Sequence, residues 1–528
     1  MANLIHPSNL TRATRDDAML EKLTITLNPA DNVAIARNAL LPRTVLRCES
    51  GAITVARMVP PGHKIAIRSI AEGAEIIRYG QVIGHASVHI SAGDHVHTHN
   101  VATHQGELTL DYAFCSNVQP VDYVPESERR TFMGFRRSDG RVGTRNYLGI
   151  IASVNCSSTA TLRIVDHFRN NPIMAQYPNV DGVIGFPTKG GCGAHHGSAY
   201  LAQLQRTMAG IVDHPNVGGY LVMSLGCEDN QPDELIDNTS MQHQQPTVIT
   251  IQEDGGFRKS VEAGINAVEE LLPIVNSFER EEVPVSELTI ALQCGGSDGW
   301  SGVTANPALG QAADLIVQQG GTVVLGETSE VYGGEHLLTR RAVTEEIGQK
   351  LVNKIHWWEA YTSMWGAEID NNPSPGNKLG GLTTIYEKSL GAIAKAGTTP
   401  MIDVIDYAER ITQRGFIHMD TPGFDPVSAT GQVAGGCNIV VFTTGRGSAF
   451  GFKPAPSIKI ATNSTLFAKQ EPDMDINAGK MLDGVSLEEM GAEIFEHILR
   501  VASGEQSRSE ADGIGEEEFN PWILGATL

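Results

Sequence analysis

The 528-residue sequence predicts an α+β multidomain protein, a small mostly-β N-terminal domain followed by a large α/β region in two lobes. Three observations carry that expectation. The chain is too long for one ordinary hydrophobic core. From Leu23 to Val118, short apolar runs such as KLTITLNP, NVAIARNAL and EIIRYGQVIGHASVHI are punctuated by turns, with few helix-length periodicities. From residue 131 onward, strand-like runs alternate with amphipathic stretches such as FRKSVEAGINAVEELLPIVNSF and TANPALGQAADLIVQQGG, the latter feeding TVVLGET.

Element by element, residues 1–20 read as a flexible tail and 21–118 as the β domain. The polar, proline-containing stretch 119–130 reads as a linker, 131–285 as the first α/β lobe and 286–528 as the second, with a break near 284–288. Hydrophobic content of 41% and charged content of 19% fit a soluble globular chain. A net charge of −22 argues against nucleic acid as a partner, yet an anionic small substrate needs only a few local cations. The N-terminus lacks the apolar segment of a secretory signal, and no run approaches the roughly 18 apolar residues of a membrane span. With seven scattered cysteines, an odd number, the expectation is a cytoplasmic protein with reduced thiols and no membrane partner.

Four cysteines stand where an apolar run gives way to glycine and polar residues: Cys156 after LGIIASVN, Cys192 after DGVIGFPTKGG, Cys227 after YLVMSLG and Cys294 after LTIALQ. Such runs read as buried parallel strands, and open α/β sheets bind ligands beyond the carboxyl ends of their strands. Any one of these cysteines is also compatible with a small buried core residue. Four at equivalent positions point to a metal or reaction site. Thiolates suit iron, zinc or an iron–sulfur cluster, and no C-x-x-C pair signals a zinc knuckle or a ferredoxin-type cluster.

Gly93-Asp94-His95-Val96-His97-Thr98-His99-Asn100 closes the β domain. On a strand, residues 95, 97 and 99 share one face, so three imidazoles can ligate a divalent metal or serve as acid and base. The competing reading is a polar strand end facing water. Cys294-Gly-Gly-Ser-Asp298 and the following Ser301 to Pro307 are dense in glycine and hydroxyls, with a helix start expected near Asn306-Pro307. Ser297, Thr304 and Asn306 there can meet substrate hydroxyls, or simply build a turn. Asn377-Lys378, in NPSPGNKLGG, and Arg446, in TTGRGS after NIVVFT, supply positive charge for a carboxylate. A Walker lysine and a G-x-G-x-x-G between strand and helix are both missing, so phosphate cofactors are not expected.

PPGHKIAI, IIRYGQVIG and DHVHTHN in the β domain, then DGRVGTRN, GGCGAHH, LGCEDNQ, QCGGSDGWSGVTANP, NPSPGNKLGG, EKSLG, TTGRGS and IKIATNS, together resemble the altronate/galactarate dehydratase family of sugar-acid dehydratases. The resemblance runs from about residue 25 to the end of the chain. It implies an SAF-type fold for the β domain and loss of water from a hexonate or hexarate to give a 2-keto-3-deoxy acid. It also implies Fe2+ as the metal. For the site itself mononuclear iron is the first expectation, with an iron–sulfur cluster on the thiolates or Mn2+ in place of iron as the alternatives. The partners it implies are a small-molecule sugar acid and further copies of the chain in a homo-oligomer. DHVHTHN is more similar to the altronate branch, whereas YPNVDGVIG, RAVTEEIGQKL and MDINAG are more similar to the galactarate branch, so the substrate stays open between them.

Elimination next to a carboxylate requires stabilising an enediolate, a task for a metal with Arg or Lys, plus a base for the α proton and an acid for the leaving hydroxyl. On this reading His97, His99, Asp298 and Lys378 are the catalytic candidates, and Ser297, Thr304, Asn306, Asn377 and Arg446 hold substrate. Cys192, Cys227 and Cys294, with Cys156, are the thiolate ligand candidates. A sulfolactate-type lyase expelling sulfite, a thiol-dependent redox enzyme and a non-catalytic sugar-acid-binding protein are the alternatives.

Overall fold

The computed structural model describes residues 18–48, 51–103, 110–237, 246–369 and 372–524. The tail expected over residues 1–20 lies almost entirely outside them. The N-terminal module is mostly β, as its turn-punctuated sequence dictates. Its central antiparallel sheet runs Thr24–Ile25, Val33–Ala36, Lys64–Ala66, His95–Val96, flanked by two three-stranded sheets. Val33, Ile76, Ile83, Ile90 and Val96 form much of its small core.

The first lobe is a parallel sheet of β1 (Tyr147–Ala152), β2 (Gly182–Phe186), β3 (Val217–Ser224) and β4 (Thr247–Thr250) in the order β2-β1-β3-β4. Helices α1 (Asn155–Phe168), α2 (Ala199–Val212) and α3 (Phe257–Asn276) cover it. Every residue of β1 and β3 is buried, which explains their unbroken apolar runs. The lobe begins and ends on paired strands, since Thr131–Arg136 runs antiparallel to Arg280–Pro284.

The second lobe is a seven-stranded, wholly parallel sheet. Its strands are β5 (Thr289–Cys294), β6 (Thr322–Leu325), β7 (Met401–Ile405), β8 (Phe416–Met419), β9 (Ile439–Thr444), β10 (Ser457–Ala461) and β11 (Ile476–Asn477), ordered β7-β8-β6-β5-β9-β10-β11. Among its helices are α4 (Ala305–Gln318), α5 (Glu345–Met364), α6 (Pro375–Leu379), α7 (Ile385–Ile393), α8 (Asp425–Gly435) and α9 (Leu487–Ala502). From β5 the chain builds toward one edge through β6 and later toward the other through β9. That reversal opens a crevice outside the carboxyl end of β5. In the first lobe β1 holds the same position between β2 and β3. No helix among the described residues is long and apolar enough to cross a membrane.

A buried ionic network docks the β module onto the second lobe. Lys64 Nζ donates to both Glu387 carboxylate oxygens at 2.8 Å and to the Gly381 carbonyl at 2.7 Å. Arg78 pairs with the same carboxylate and donates to the Gly299 carbonyl at 2.8 Å. Thr383 adds its backbone N–H at 2.8 Å and its hydroxyl at 2.6 Å. Burial alone would raise the Glu387 pKa; Lys64 and Arg78 override it and pull it to about 2.

Glu387→Gln leaves two buried cations without a counter-charge and should destabilise docking by about 3–5 kcal/mol, read by urea denaturation. The carboxylate's contribution is complete above its ordinary pKa of 4.5 and is lost as pH falls toward about 2. Acid titration of wild-type stability should therefore show a drop in that window that the variant lacks. Equal stability of the two proteins at neutral pH would refute the assignment.

Candidate functional site

Two groups of metal-competent side chains occur among the described residues. The first lies in the β module. Lys64 pairs with Val96 and Ile65 with His95, and continuing that register by one residue sets His63 beside His97. The ligand atoms of His63, His95 and His97 lie within 4.8 Å of one another. His63 Nδ1 is 3.1 Å from His95 Nε2, and the His95 and His97 rings stack with centroids 5.3 Å apart. His97 Nδ1 is buried with no hydrogen-bond partner among the described residues. Burial lowers all three pKa values, helped by Lys64 at His63, by the neighbouring imidazoles at His95, and by His63 and Lys64 at His97. They fall to about 4, 3 and 3, so at neutral pH each ring keeps a lone pair for a metal.

The period-two strand expected through residue 99 stops at Val96. Asn100 folds back, accepting from the His97 N–H at 2.9 Å and donating to the His95 carbonyl at 3.0 Å, so the chain turns. His99 is therefore exposed on the turn, its ring centroid 5.5 Å from that of His95. The third member of the tight group is His63, which sequence spacing did not single out.

The second group sits at the crevice of the larger sheet. Cys294 ends β5, while Glu327 and Glu330 follow β6. Lys395 Nζ lies 2.9 Å from Cys294 Sγ and 2.8 Å from Glu327, and Lys388 Nζ lies 2.5 Å from Glu330. Burial, reinforced by Glu327, pushes the Cys294 thiol up to about 12. The group is thus two carboxylates, two ammoniums and a neutral thiol. Glu327 has a left-handed backbone (φ 62°), a strained position for a residue with a side chain, fixed by the 2.6 Å bond from its N–H to Thr421 Oγ1. Cys294, Glu330, Lys388, Asn372, Asn377 and Asp425 are among the residues around a cavity of about 480 Å3. Burial, with Glu327 and Glu330 nearby, raises Asp425 to about 7.

Helix α6 separates the two groups. The Leu379 carbonyl lies 3.3 Å from His63 Nε2, while Asn377 Nδ2 donates to the Ser297 carbonyl at 2.8 Å. Lys378 and Arg446 are exposed, and a Cβ on Gly380 would come 3.3 Å from Arg446 Cδ. Ser297 is buried. Asp298 is buried and accepts from the Trp300 and Ser301 N–H groups, both at 3.0 Å, and from Thr462 and Asn463. Burial raises its pKa to about 6 against the pull of those bonds. Thr304 Oγ1 donates to the Thr462 carbonyl at 2.7 Å. Asn306 donates to the Gly391 carbonyl at 2.9 Å and accepts from Thr443 at 2.6 Å. Helix α4 starts at Ala305 with Thr304 as its N-cap, earlier than the expected Asn306 start, because Asn306 is drawn into that interior bonding.

Cys156, Cys192 and Cys227 lie in the other lobe, exposed, at the carboxyl ends of β1, β2 and β3. They do not share a site with Cys294, which terminates a strand of the larger sheet. Glu228 is buried, accepting from Ser153 Oγ at 2.5 Å and from the Leu225 and Gly226 N–H groups. A second cavity of about 480 Å3 opens at the opposite ends of the strands, and three of its arginines are paired there, Arg141 and Arg410 with Asp213 at 3.0 and 3.6 Å and Arg414 with Glu287 at 2.9 Å.

Comparison with known families gives three successive matches. Residues 22–104 match the SAF domain of altronate/galactarate dehydratases. Residues 134–276 match the second domain of D-galactarate dehydratase/altronate hydrolase, and 285–527 the C-terminal domain of D-galactarate/altronate dehydratase. The altronate dehydratase of Bacillus subtilis (strain 168) is 36% identical over 512 residues, 96% of this chain and 100% of that protein. The galactarate dehydratase (L-threo-forming) of Escherichia coli (strain K12) is 39% identical over 490 residues, 91% of this chain and 93% of that protein. The β subunit of a (2R)-sulfolactate sulfo-lyase from Chromohalobacter salexigens is 31% identical over 405 residues, 75% of this chain and 97% of the subunit.

The geometry around Asp298 makes one prediction. A Cβ on Gly445 would fall 2.1 Å from Asp298 Cγ, and neither neighbour can yield without breaking the bonds that hold the 298–301 turn. Gly445→Ala should cost about 1–3 kcal/mol in thermal unfolding through overpacking. A variant as stable as wild type would show that Asp298 is free to move.

Proposed function

The chain belongs to the D-galactarate/altronate dehydratase family, and from that premise we propose that it dehydrates a galactarate- or altronate-type sugar acid to a 2-keto-3-deoxy acid, with Fe2+ held by His63, His95 and His97. The observation that carries the metal assignment is the group of three closely spaced, neutral imidazoles, one with an unpartnered buried nitrogen. The Cys294 group fits a cation less well, because Lys395 and Lys388 already neutralise its carboxylates. When bound, the ion supplies positive charge against the charge that develops on the substrate.

The chain's own residues do the rest. Arg446, exposed between two glycines, clamps the substrate carboxylate with its planar fork. His99 accepts the α proton, and the Lys378 ammonium gives a proton to the departing β-hydroxyl, so water leaves and the enol product tautomerises to the 2-keto acid. Asn377, on the cavity wall, holds the loop of Ser297 by donating to its carbonyl. Asp298, Thr304 and Asn306 act as positioning residues that tie the 298–306 segment to the ends of β9 and β10 at Thr443, Thr462 and Asn463.

Protein purified without oxygen should form a 2-keto acid from one member of a panel of galactarate, altronate and related acids, dependent on added Fe2+. Silence across that panel with iron bound would overturn the dehydratase assignment to these substrates. Arg446→Ala should lower kcat/KM by about 10- to 150-fold, the worth of a charge-assisted hydrogen bond. Elemental analysis separates the two metal-competent groups: His97→Ala should lose the one iron per chain that is not matched by acid-labile sulfide, while Cys294→Ser keeps it. The reverse pattern would move the metal to the Cys294 group.

A further inference from the structure

Three exposed thiols in the first lobe take no part in the reaction derived above. Cys156 lies in the first turn of the 14-residue helix α1, Cys192 on the loop after β2 and Cys227 on the loop after β3. These strands are neighbours in the order β2-β1-β3, with β1 at the point where the chain reverses its building direction. The three loops are tied together backbone to backbone. Asn155 N–H donates to the Gly190 carbonyl at 3.0 Å, and the Asp229 and Asn230 N–H groups donate to the Gly191 carbonyl at 3.0 and 3.1 Å. Each cysteine thus stands within two residues of a hydrogen bond to the loop of another.

The surroundings favour an anionic guest. Gly191 and Gly193 flank Cys192 with φ of 94° and 71°, and Gly226 precedes Cys227 with φ of 123°. Alternation of this kind curls backbone N–H groups around a concavity of the type that holds phosphates and iron–sulfur clusters. The N-terminal end of α1 adds a partial positive charge beside Cys156. Asn230, fully buried, braces the loops from below: its Nδ2 donates to the Ser153 carbonyl at 2.8 Å. Gln252 Nε2 lies 3.4 Å from Cys227 Sγ, a donor to that sulfur.

We infer that Cys156, Cys192 and Cys227 bind an iron–sulfur cluster through three thiolates, separate from the histidine-held ion. A single zinc ion, with Zn–S bonds of about 2.3 Å, draws its thiolates to within about 4 Å of one another. The three thiols are not among the groups of described residues tight enough for one ion, whereas a polynuclear cluster takes its thiolates on different irons. Three protein ligands leave one iron of a four-iron cluster without a cysteine, open to solvent or to a small oxygen ligand.

The full-length protein, purified anaerobically and incubated with Fe2+ and sulfide, would be assayed for iron, acid-labile sulfide and the broad visible charge-transfer absorption of thiolate-bound clusters. The expected result is labile sulfide retained in step with iron, and most of the visible absorption lost in each of Cys156→Ser, Cys192→Ser and Cys227→Ser but kept in Cys294→Ser. Wild-type protein without labile sulfide would overturn the inference, as would zinc bound in its place or a cluster that survives all three substitutions. These readouts do not depend on turnover, so they stand apart from the dehydratase assignment.

Discussion

The Glu387 carboxylate, buried between Lys64 and Arg78, is the constraint on which the rest of the architecture depends. Removing three charged groups from water costs several kcal/mol each, and well-packed apolar side chains can be as stabilising as a buried ion pair. What the ionic network adds is register. Lys64 also needs the Gly381 carbonyl and Arg78 the Gly299 carbonyl, so a slipped or rotated docking leaves buried cations without acceptors. The acceptors flank α6 and the 298–301 turn, and the same docking puts His63 against the Leu379 carbonyl. Placement of the histidine group beside Lys378 and Arg446 is therefore a consequence of where one glutamate sits.

The two parallel sheets solve the same problem in the same way. In each, a buried central strand is flanked by strands reached in opposite directions, and the loops at its carboxyl end diverge to leave a crevice. Glycines at these strand ends let neighbouring loops close to hydrogen-bonding distance: a Cβ on Gly191 would lie 2.3 Å from the Ser153 carbonyl oxygen, and one on Gly295 2.3 Å from an Asp425 oxygen. The sheets differ in what the crevices hold. The small sheet presents three exposed thiols, whereas the large one presents a buried, charge-balanced set of carboxylates and lysines beside a cavity.

Much of this was legible in the sequence because it depends on local pattern. Apolar runs giving way to glycine and polar residues located β1, β2, β3 and β5, with Cys156, Cys192, Cys227 and Arg446 beyond strand ends; Cys294 is instead the last residue of β5, and Lys378, expected on a loop, lies in the short helix α6. His63 was not legible, since its meeting with His97 depends on the pairing of strands some thirty residues apart. Glu327, Glu330, Lys388 and Lys395 were missed because charged residues read as surface until tertiary pairing buries them. A glutamate directly after TVVLG was the available signal, being a carboxylate at a parallel strand end. Thr304 and Asn306 erred the other way: hydroxyls and amides beside glycine suggest ligand contact, but here the interior uses them, as its own unsatisfied backbone groups demand.

The separation of the two metal-competent groups follows from charge alone. Around Cys294, Lys395 and Lys388 already occupy the space that a cation would need, at 2.5–2.9 Å from the candidate ligand atoms. Evicting two buried ammoniums to admit one divalent ion exchanges compensated charge for a desolvation cost. The imidazoles carry no such competitor, and burial keeps them uncharged. The Cys294 group instead sets the field of the adjoining cavity. Desolvation and the Glu327 and Glu330 carboxylates hold Asp425 near 7, so the cavity wall carries a carboxyl that gains or loses its proton at physiological pH.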